Sequence, residues 1–519
     1  MNNIDLPWQS EVCHCLVLVT ADDWCMDDDS TSSADAQPGE GETRSVRMRS
    51  ILRSVVKVMT TSDSPDYEQP WQTLGPDSAA GSGAIVLTSR GARVLTNAHV
   101  VQNQVFIEVR RYGKTRKFEA VLEGVGHDCD LALLKIDDPE FSGAAPAFPI
   151  GDLPSLGQRV STLGFPIGGD RLSVTEGIVS RIEMHPYAHS QRNLLAVQID
   201  AAINSGNSGG PVVKDGELIG VAFEAMDDAE NVGYMIGAPV VKHFLRDMED
   251  GVHDGFPDLG VVTQELESRA HRRSLGLSPK SHGGVLVTGV VHGSSAWGAI
   301  EKGDVLLALD GKNVAADGTI RFRKGERIDL AYQVARRHVG ETMPVKVLRD
   351  GVVQSLELPM KPPRFLVAED TYDVKPTYYL YGGLLFVPLS RDFLLTWGSE
   401  WWQEAPSEIV AVYENEIRTA SRSEVVVLQK VLADRVNQGY HDYGALIIDR
   451  VQDRKIRNLK DLMKIVDSSS DEFIRFQSRD GQMIVLETDK VEKRNSSILQ
   501  RYGVPSDRSE NLKTKHRES

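Results

Sequence analysis

From Ser50 to about residue 248 the chain is written in short apolar runs, each closed by glycine or a turn residue. Examples are Gly83-Ala84-Ile85-Val86-Leu87, Val105-Phe106-Ile107-Glu108-Val109, Leu131-Ala132-Leu133-Leu134 and Glu217-Leu218-Ile219-Gly220-Val221. Many short strands at this close spacing predict a β-barrel or sandwich rather than alternating βαβ units. A helix is expected only at the end of the block, from Pro239 to Met248, with proline in its first turn.

The polar stretch Glu249–Asp258 then reads as a linker to a second block, 258–362. Its strands surround Leu259-Gly260-Val261, Gly284–Val287, Asp304–Leu309 and Val345–Leu348, with one amphipathic helix expected at Ile328–His338. Pro362-Pro363 marks the exit. A third block, 375–490, has strands predicted at Gly383–Pro388, Glu408–Val412 and Ala445–Val451 and a helix at Leu459–Val466. Residues 491–519 read as a mixed-charge tail and 1–49 as a flexible acidic leader. A chain of 519 residues is too long for one core, so several domains are the natural outcome.

Composition excludes some functions. The net charge of −16 gives no broad footprint for nucleic acid, which needs clustered Lys and Arg, and none for an anionic membrane surface. No run approaches the roughly 18 apolar residues of a membrane helix. The N-terminus lacks the basic start and long apolar stretch of a signal peptide, so a soluble intracellular protein is expected. Three of the four cysteines, Cys13, Cys15 and Cys25, lie in the leader; with His14 their spacing fits no usual zinc pattern, and no metal or other cofactor is expected. Cys129 reads as a small buried apolar residue.

The chemistry gathers in the first block. In Gly206-Asn207-Ser208-Gly209-Gly210-Pro211, flanking glycines permit a tight turn whose Gly206 and Ser208 amides can face one oxyanion. A serine alcohol needs an adjacent base. Thr96-Asn97-Ala98-His99-Val100-Val101 offers His99 at the end of an apolar strand, and Asp130 stands immediately before the strand Leu131–Leu134. A carboxylate there can fix the imidazole tautomer and stabilise the imidazolium. Each residue alone is ambiguous; the order His, Asp, Ser within one β-rich block points to a serine hydrolase. Asp128 stands as an alternative orienter.

These residues resemble the Deg/HtrA serine proteases. The resemblance rests on Gly81-Ser82-Gly83, Thr96–Val101, Asp130–Lys135, Gly164-Phe165-Pro166 and Asp200–Asn204 leading into Gly206–Pro211, and covers about residues 50–362. Pro70-Trp71-Gln72 and the third block are similar to plant-type members. The resemblance implies a mainly β, multidomain chain: a trypsin-like double β-barrel, 50–248, then a PDZ domain and a second, degenerate PDZ-like domain. It implies ATP-independent cleavage of unfolded or damaged proteins by His99, Asp130 and Ser208, with Gly206 and Ser208 as oxyanion donors. Ala202, six residues before the nucleophile, would form the specificity pocket with Ile203, Ala225 and Met226, which favours small aliphatic side chains.

Leu259-Gly260-Val261 fits the family's carboxylate loop for apolar C-terminal peptides. A homo-oligomer, a trimer or a multiple of one, is also implied. In the third block Pro388 and the bulky Phe393-Leu394-Leu395-Thr396-Trp397 follow the matching loop, so that block is expected to pack on the protease domain or a neighbouring subunit. The rival from another class is a non-enzymatic PDZ scaffold or holdase whose triad never assembles.

Overall fold

The computed structural model describes residues 51–142, 146–166, 169–204, 206–225, 233–278 and 283–513; the acidic leader and its cysteines lie outside them. The first block folds as two barrels. Strands β1 (Val55–Pro65), β2 (Thr73–Thr88), β3 (Gly91–Thr96), β4 (Gln104–Arg111), β5 (Lys117–Gly126) and β6 (Leu131–Lys135) close in the order β1-β2-β3-β6-β5-β4. Strands β7 (Arg159–Gly164), β8 (Ser173–Pro186), β9 (Asn193–Ile199), β10 (Pro211–Lys214), β11 (Glu217–Ala225) and β12 (Gly233–Gly237) close in the order β10-β11-β12-β9-β8-β7. Closure pairs every edge, which is how so many short strands avoid exposed ladder groups.

The unbroken apolar runs have a physical reason. In β6, Ala132 and Leu134 enter the first barrel's core, while Leu131 and Leu133 face outward into a second core between the barrels. In β9, Val197 and Ile199 fill the second barrel, and Leu194 and Leu195 join that shared core. Strands buried on both faces lose the alternation of half-buried ones. The shared core continues through Phe244 and Phe256 to Val285, Leu306 and Val345 of the next domain.

That domain has a sheet ordered Val261–Gln264, Val285–Val290, Val305–Leu309, Thr342–Arg349, Val352–Pro359, with a hairpin, Thr319–Arg323 and Glu326–Asp329. The expected helix Ile328–His338 is shorter: Ile328 pairs with Ile320 in the hairpin, Asp329 Oδ1 accepts the Ala331 amide at 2.8 Å, and the helix is only Ala331–Ala335. Leu259 and Gly260 precede the first strand instead of lying in it.

The third domain orders its sheet Tyr379–Tyr381, Leu384–Pro388, Val426–Val431, Leu446–Val451, Phe473–Ser478, Met483–Glu487. Glu408–Val412 is not a strand but part of the helix Ser407–Asn415. Pro406 opens it by accepting the Ile409 amide, and its buried residues, Ile409 and Val412, are spaced as one helical face requires. Residues 491–513, expected as part of a tail, belong to the fold. The helix Thr488–Arg501 buries Val491 and Ile498, and Val504 and Leu512 are buried beyond it.

Phe393 and Leu394 fill this domain's own core, on which Trp71 of the protease domain packs, its ring 5.8 Å from that of Tyr378. Gln429 Nε2 also donates to the Tyr67 and Glu68 carbonyls. The Glu249–Asp258 linker is packed only at its end, where Gly255, Phe256 and Pro257 are buried, while Glu249, Asp250, Val252 and Asp254 are exposed. Among the described residues no helix is long and apolar enough to cross a membrane.

Candidate active site

Strand register brings two of the expected residues together. β3 ends with Thr96 opposite Ala132 of β6, so the chain leaving one strand meets the chain entering the other. The turn of helix Ala98–Val101 starts there, burying Ala98, Val100 and Val101 and leaving His99 half-buried. Opposite it, the tight turn His127–Cys129 ends on Asp130 in the left-handed conformation, φ 52°. Aspartate is one of the few side chains that adopts it readily.

From that position the buried Asp130 carboxylate meets His99 twice. Oδ1 accepts the His99 amide at 2.9 Å and Oδ2 lies 2.7 Å from Nδ1. Asn97 Nδ2 donates to the Asp130 carbonyl at 2.8 Å. Burial pushes the Asp130 pKa up, but the His99 charge and hydrogen bonds outweigh it, and the carboxyl is held below its usual range. With Nδ1 on a carboxylate, Nε2 is the ring nitrogen left for proton transfer.

Ser208 reaches the same place through Ser82 of β2. The Ser82 amide donates to the Ser208 carbonyl at 2.8 Å, and Ser82 Oγ donates to the Gly206 carbonyl at 2.7 Å. The Phe165 amide donates to Ser82 Oγ, and Thr96 Oγ1 to the Ser82 carbonyl, each at 2.7 Å. Gly209 has φ 83°, and a Cβ there would lie 2.1 Å from the Ser82 carbonyl oxygen and 2.4 Å from Thr96 Oγ1. The serine turn therefore lies on the backbone that launches His99, and only glycine fits. Ser208 itself is half-buried. Ser82 is a positioning residue that sequence reasoning saw only as part of a motif.

Asp128 does not face His99. Its Oδ1 is 2.7 Å from His253 Nε2 and its Oδ2 accepts the Phe256 amide at 2.8 Å. Burial opposes its charge, yet those bonds bring its pKa down to about 2. Cys129 is fully buried, and burial pushes its thiol up to about 12, which makes it a poor nucleophile.

Of the expected pocket residues, Ala202 is half-buried and its carbonyl accepts Thr175 Oγ1 at 3.0 Å. Ile203 is buried against Gly233, where a Cβ would lie 2.6 Å from Ile203 Cδ1, and Ala225 pairs with Gly233 across β11 and β12. Met226 lies outside the described residues.

Residues 81–221 match the family described as Trypsin-like peptidase domain, and residues 257–360 and 367–511 each match a family described as PDZ domain. Protease Do-like 2, chloroplastic, of Arabidopsis thaliana is 36% identical over 467 residues, covering 89% of this chain and 76% of that protein. Protease Do-like 4, mitochondrial, of the same plant is 35% identical over 456 residues, covering 88% of this chain and 84% of that protein. The chain belongs to the Deg/HtrA serine proteases. It is a serine-type endopeptidase with a trypsin-like domain and PDZ domains. Among solved structures, the HtrA-type protease AlgW with decapeptide aligns with 61% of this chain and 98% of its own at 26% identity, TM-score 0.47.

Of two further features of this Deg/HtrA chain, only the first had no sequence signal. His189 lies beside the His99–Asp130 pair, its ring 6.1 Å from that of His99, and its Nε2 is 3.0 Å from His127 Nδ1. The segment entering the third domain covers it: Tyr372 stacks on His189 at 4.0 Å, and Asp373 Oδ2 is 2.9 Å from His127 Nε2. The second is the PDZ loop. Gly260, φ 70°, has no room for a Cβ, which would lie 2.1 Å from Ser294 Cβ. Leu259, Gly260 and Val261 line a cavity of about 480 Å³ that Val334 and Ala335 flank and Arg192 and Leu194 of the protease domain help to wall. Asp258 Oδ1 accepts the Gly260 amide at 2.6 Å.

Proposed function

We propose that this chain cleaves unfolded or damaged proteins without ATP, through an acyl-enzyme on Ser208. Ser208 Oγ attacks the scissile carbonyl as His99 Nε2 takes its proton, and His99 then returns that proton to the leaving amine. Water, deprotonated by His99, releases the acyl group. Asp130 holds the imidazole and stabilises the imidazolium. The Gly206 and Ser208 amides serve the oxyanion, each worth about 2.7–4 kcal/mol.

The observation that carries this reading is the doubly bonded His99–Asp130 pair with the Ser208 turn packed on its backbone. Ala202, Ile203, Ala225 and Met226 supply no countercharge, so the pocket takes small aliphatic residues and rejects Lys and Arg. The first PDZ domain captures apolar C-terminal peptides at Leu259-Gly260-Val261 by strand addition. The working assembly is a homo-oligomer, a trimer or a multiple of one.

A fluorophosphonate probe is expected to label Ser208, and Ser208→Ala to abolish casein cleavage by several orders of magnitude while leaving the fold intact. Peptide capture without labelling or cleavage would instead make the chain a scaffold. Dominant cuts after Lys or Arg would overturn the pocket assignment.

A further inference from the structure

Asp373 lies in the segment that enters the third domain, yet it bonds to both stretches of chain that set the His99–Asp130 pair. Its Oδ1 accepts the Asn103 amide at 2.6 Å, and its own amide donates to Asn103 Oδ1 at 2.8 Å. Asn103 closely follows the helix Ala98–Val101 that carries His99, and its carbonyl accepts the Asp63 amide of β1. Asp373 Oδ2 lies 2.9 Å from His127 Nε2, and His127 opens the turn that delivers Asp130 in its left-handed conformation. One carboxylate therefore spans the two segments whose spacing decides how Asp130 meets His99. Asp373 itself holds φ 60°, a left-handed position that aspartate and asparagine tolerate and most residues do not.

The residue before it covers the neighbouring loop. Tyr372 Oη donates to the His189 carbonyl at 2.6 Å, and its ring stacks on that of His189 at 4.0 Å and lies 4.7 Å from that of His127. His189 Nε2 is 3.0 Å from His127 Nδ1, and Ser190 Oγ donates to the Asp128 carbonyl at 2.9 Å, so this loop is tied to the same turn. With Asp373 accepting from His127 Nε2, a neutral His127 has only Nδ1 left to accept, and His189 Nε2 supplies the proton. The order Asp373, His127, His189 fixes each tautomer in turn.

The charges facing His189 are those of Asp130, His99, His127 and Asp373. Burial, to which the Tyr372 ring contributes, holds His189 neutral down to about pH 4. A second positive ring beside His99 would oppose the imidazolium that forms as Ser208 loses its proton.

We propose that Asp373 and Tyr372 are positioning residues for the catalytic pair: Asp373 braces the segments bearing His99 and Asp130, and Tyr372 keeps His189 covered beside them. The role presupposes a working His99, Asp130 and Ser208. It makes the segment entering the third domain part of the active centre instead of only a tether.

The test follows the rate at which a fluorophosphonate probe labels Ser208 in the full-length protein across the acid limb of its pH profile. That rate depends on His99 and needs neither a PDZ domain nor the specificity pocket. Asp373→Asn, which keeps the left-handed turn, should slow labelling about tenfold and lower kcat for casein by a similar factor, with KM within about twofold. Tyr372→Ala should raise the slope of the acid limb from about one towards about two, because two histidines must then be neutral. Combining it with His189→Gln should restore the single slope. Each variant is checked for wild-type circular dichroism, and if Tyr372→Ala fails to fold, Asp373→Asn carries the test. A parent chain that is never labelled would bring down the triad itself. With a labelled parent, Asp373→Asn labelling at the parent's rate, a change in KM or thermal midpoint alone, or a single slope in folded Tyr372→Ala would each overturn the positioning role.

Discussion

His189 shows how one buried side chain, beside the His99–Asp130 pair, ties stability to pH. Its residue is 8% exposed, and burial holds its pKa down at about 4 against an ordinary 6.5, with Asp130 opposing and His99 and His127 reinforcing the shift. The folded pKa lies below the unfolded one. Above pH 6.5 neither state binds the proton and stability is unaffected. Between pH 6.5 and 4 the unfolded chain binds it and the folded chain does not, so stability falls on acidification, by up to roughly 3 kcal/mol, and levels off below. Urea unfolding from pH 7 to pH 4 should show a shallower loss for His189→Gln than for the parent chain. Parallel curves would mean that His189 does not carry the effect.

At the scale of elements, the PDZ loop is already partly occupied. Asp258 places a carboxylate oxygen on the Gly260 amide, where the terminal carboxylate of a bound peptide would be held. Its side chain is 46% exposed and its other oxygen is 3.6 Å from Arg192, so it is able to move away. Asp258→Ala is therefore expected to raise affinity for a peptide with an apolar C-terminus about fivefold, equivalent to ~1 kcal/mol. Fluorescence polarisation with a labelled peptide measures this, and unchanged or weaker binding would show that the Asp258 contact does not compete.

The whole molecule is held together by contacts that cross domain boundaries. Trp71 packs on the third domain's core, Tyr67 Oη donates to the Thr371 carbonyl, and Asn103 exchanges two hydrogen bonds with Asp373. The same segment puts Tyr372 over His189, whose ring lies 6.1 Å from that of His99. Removing residues 363–519 should lower the protease domain's thermal midpoint by several degrees, since the loss of even a few kcal/mol shifts melting on that scale. It should also slow casein cleavage. Calorimetry that finds the same midpoint in the truncated and full chains would refute a stabilising role for this docking.

The sequence by itself determined the β-rich first block and the order His99, Asp130, Ser208, because those signals are local. Strand length, bounding glycines and the residues beside a reactive group are all written within a few positions. Short apolar runs were the weak point: Glu408–Val412 reads equally as strand or helix until Pro406 and the burial of Ile409 and Val412 decide. The left-handed turn at Asp130, the Ser82 clamp, the His189–Tyr372 stack and the bridge from Asp373 to Asn103 and His127 were decided only by the tertiary structure. Each joins residues whose neighbours in sequence say nothing of their partners. Barrel register and domain packing bring them together, and contacts made that way leave no periodicity or spacing in the chain.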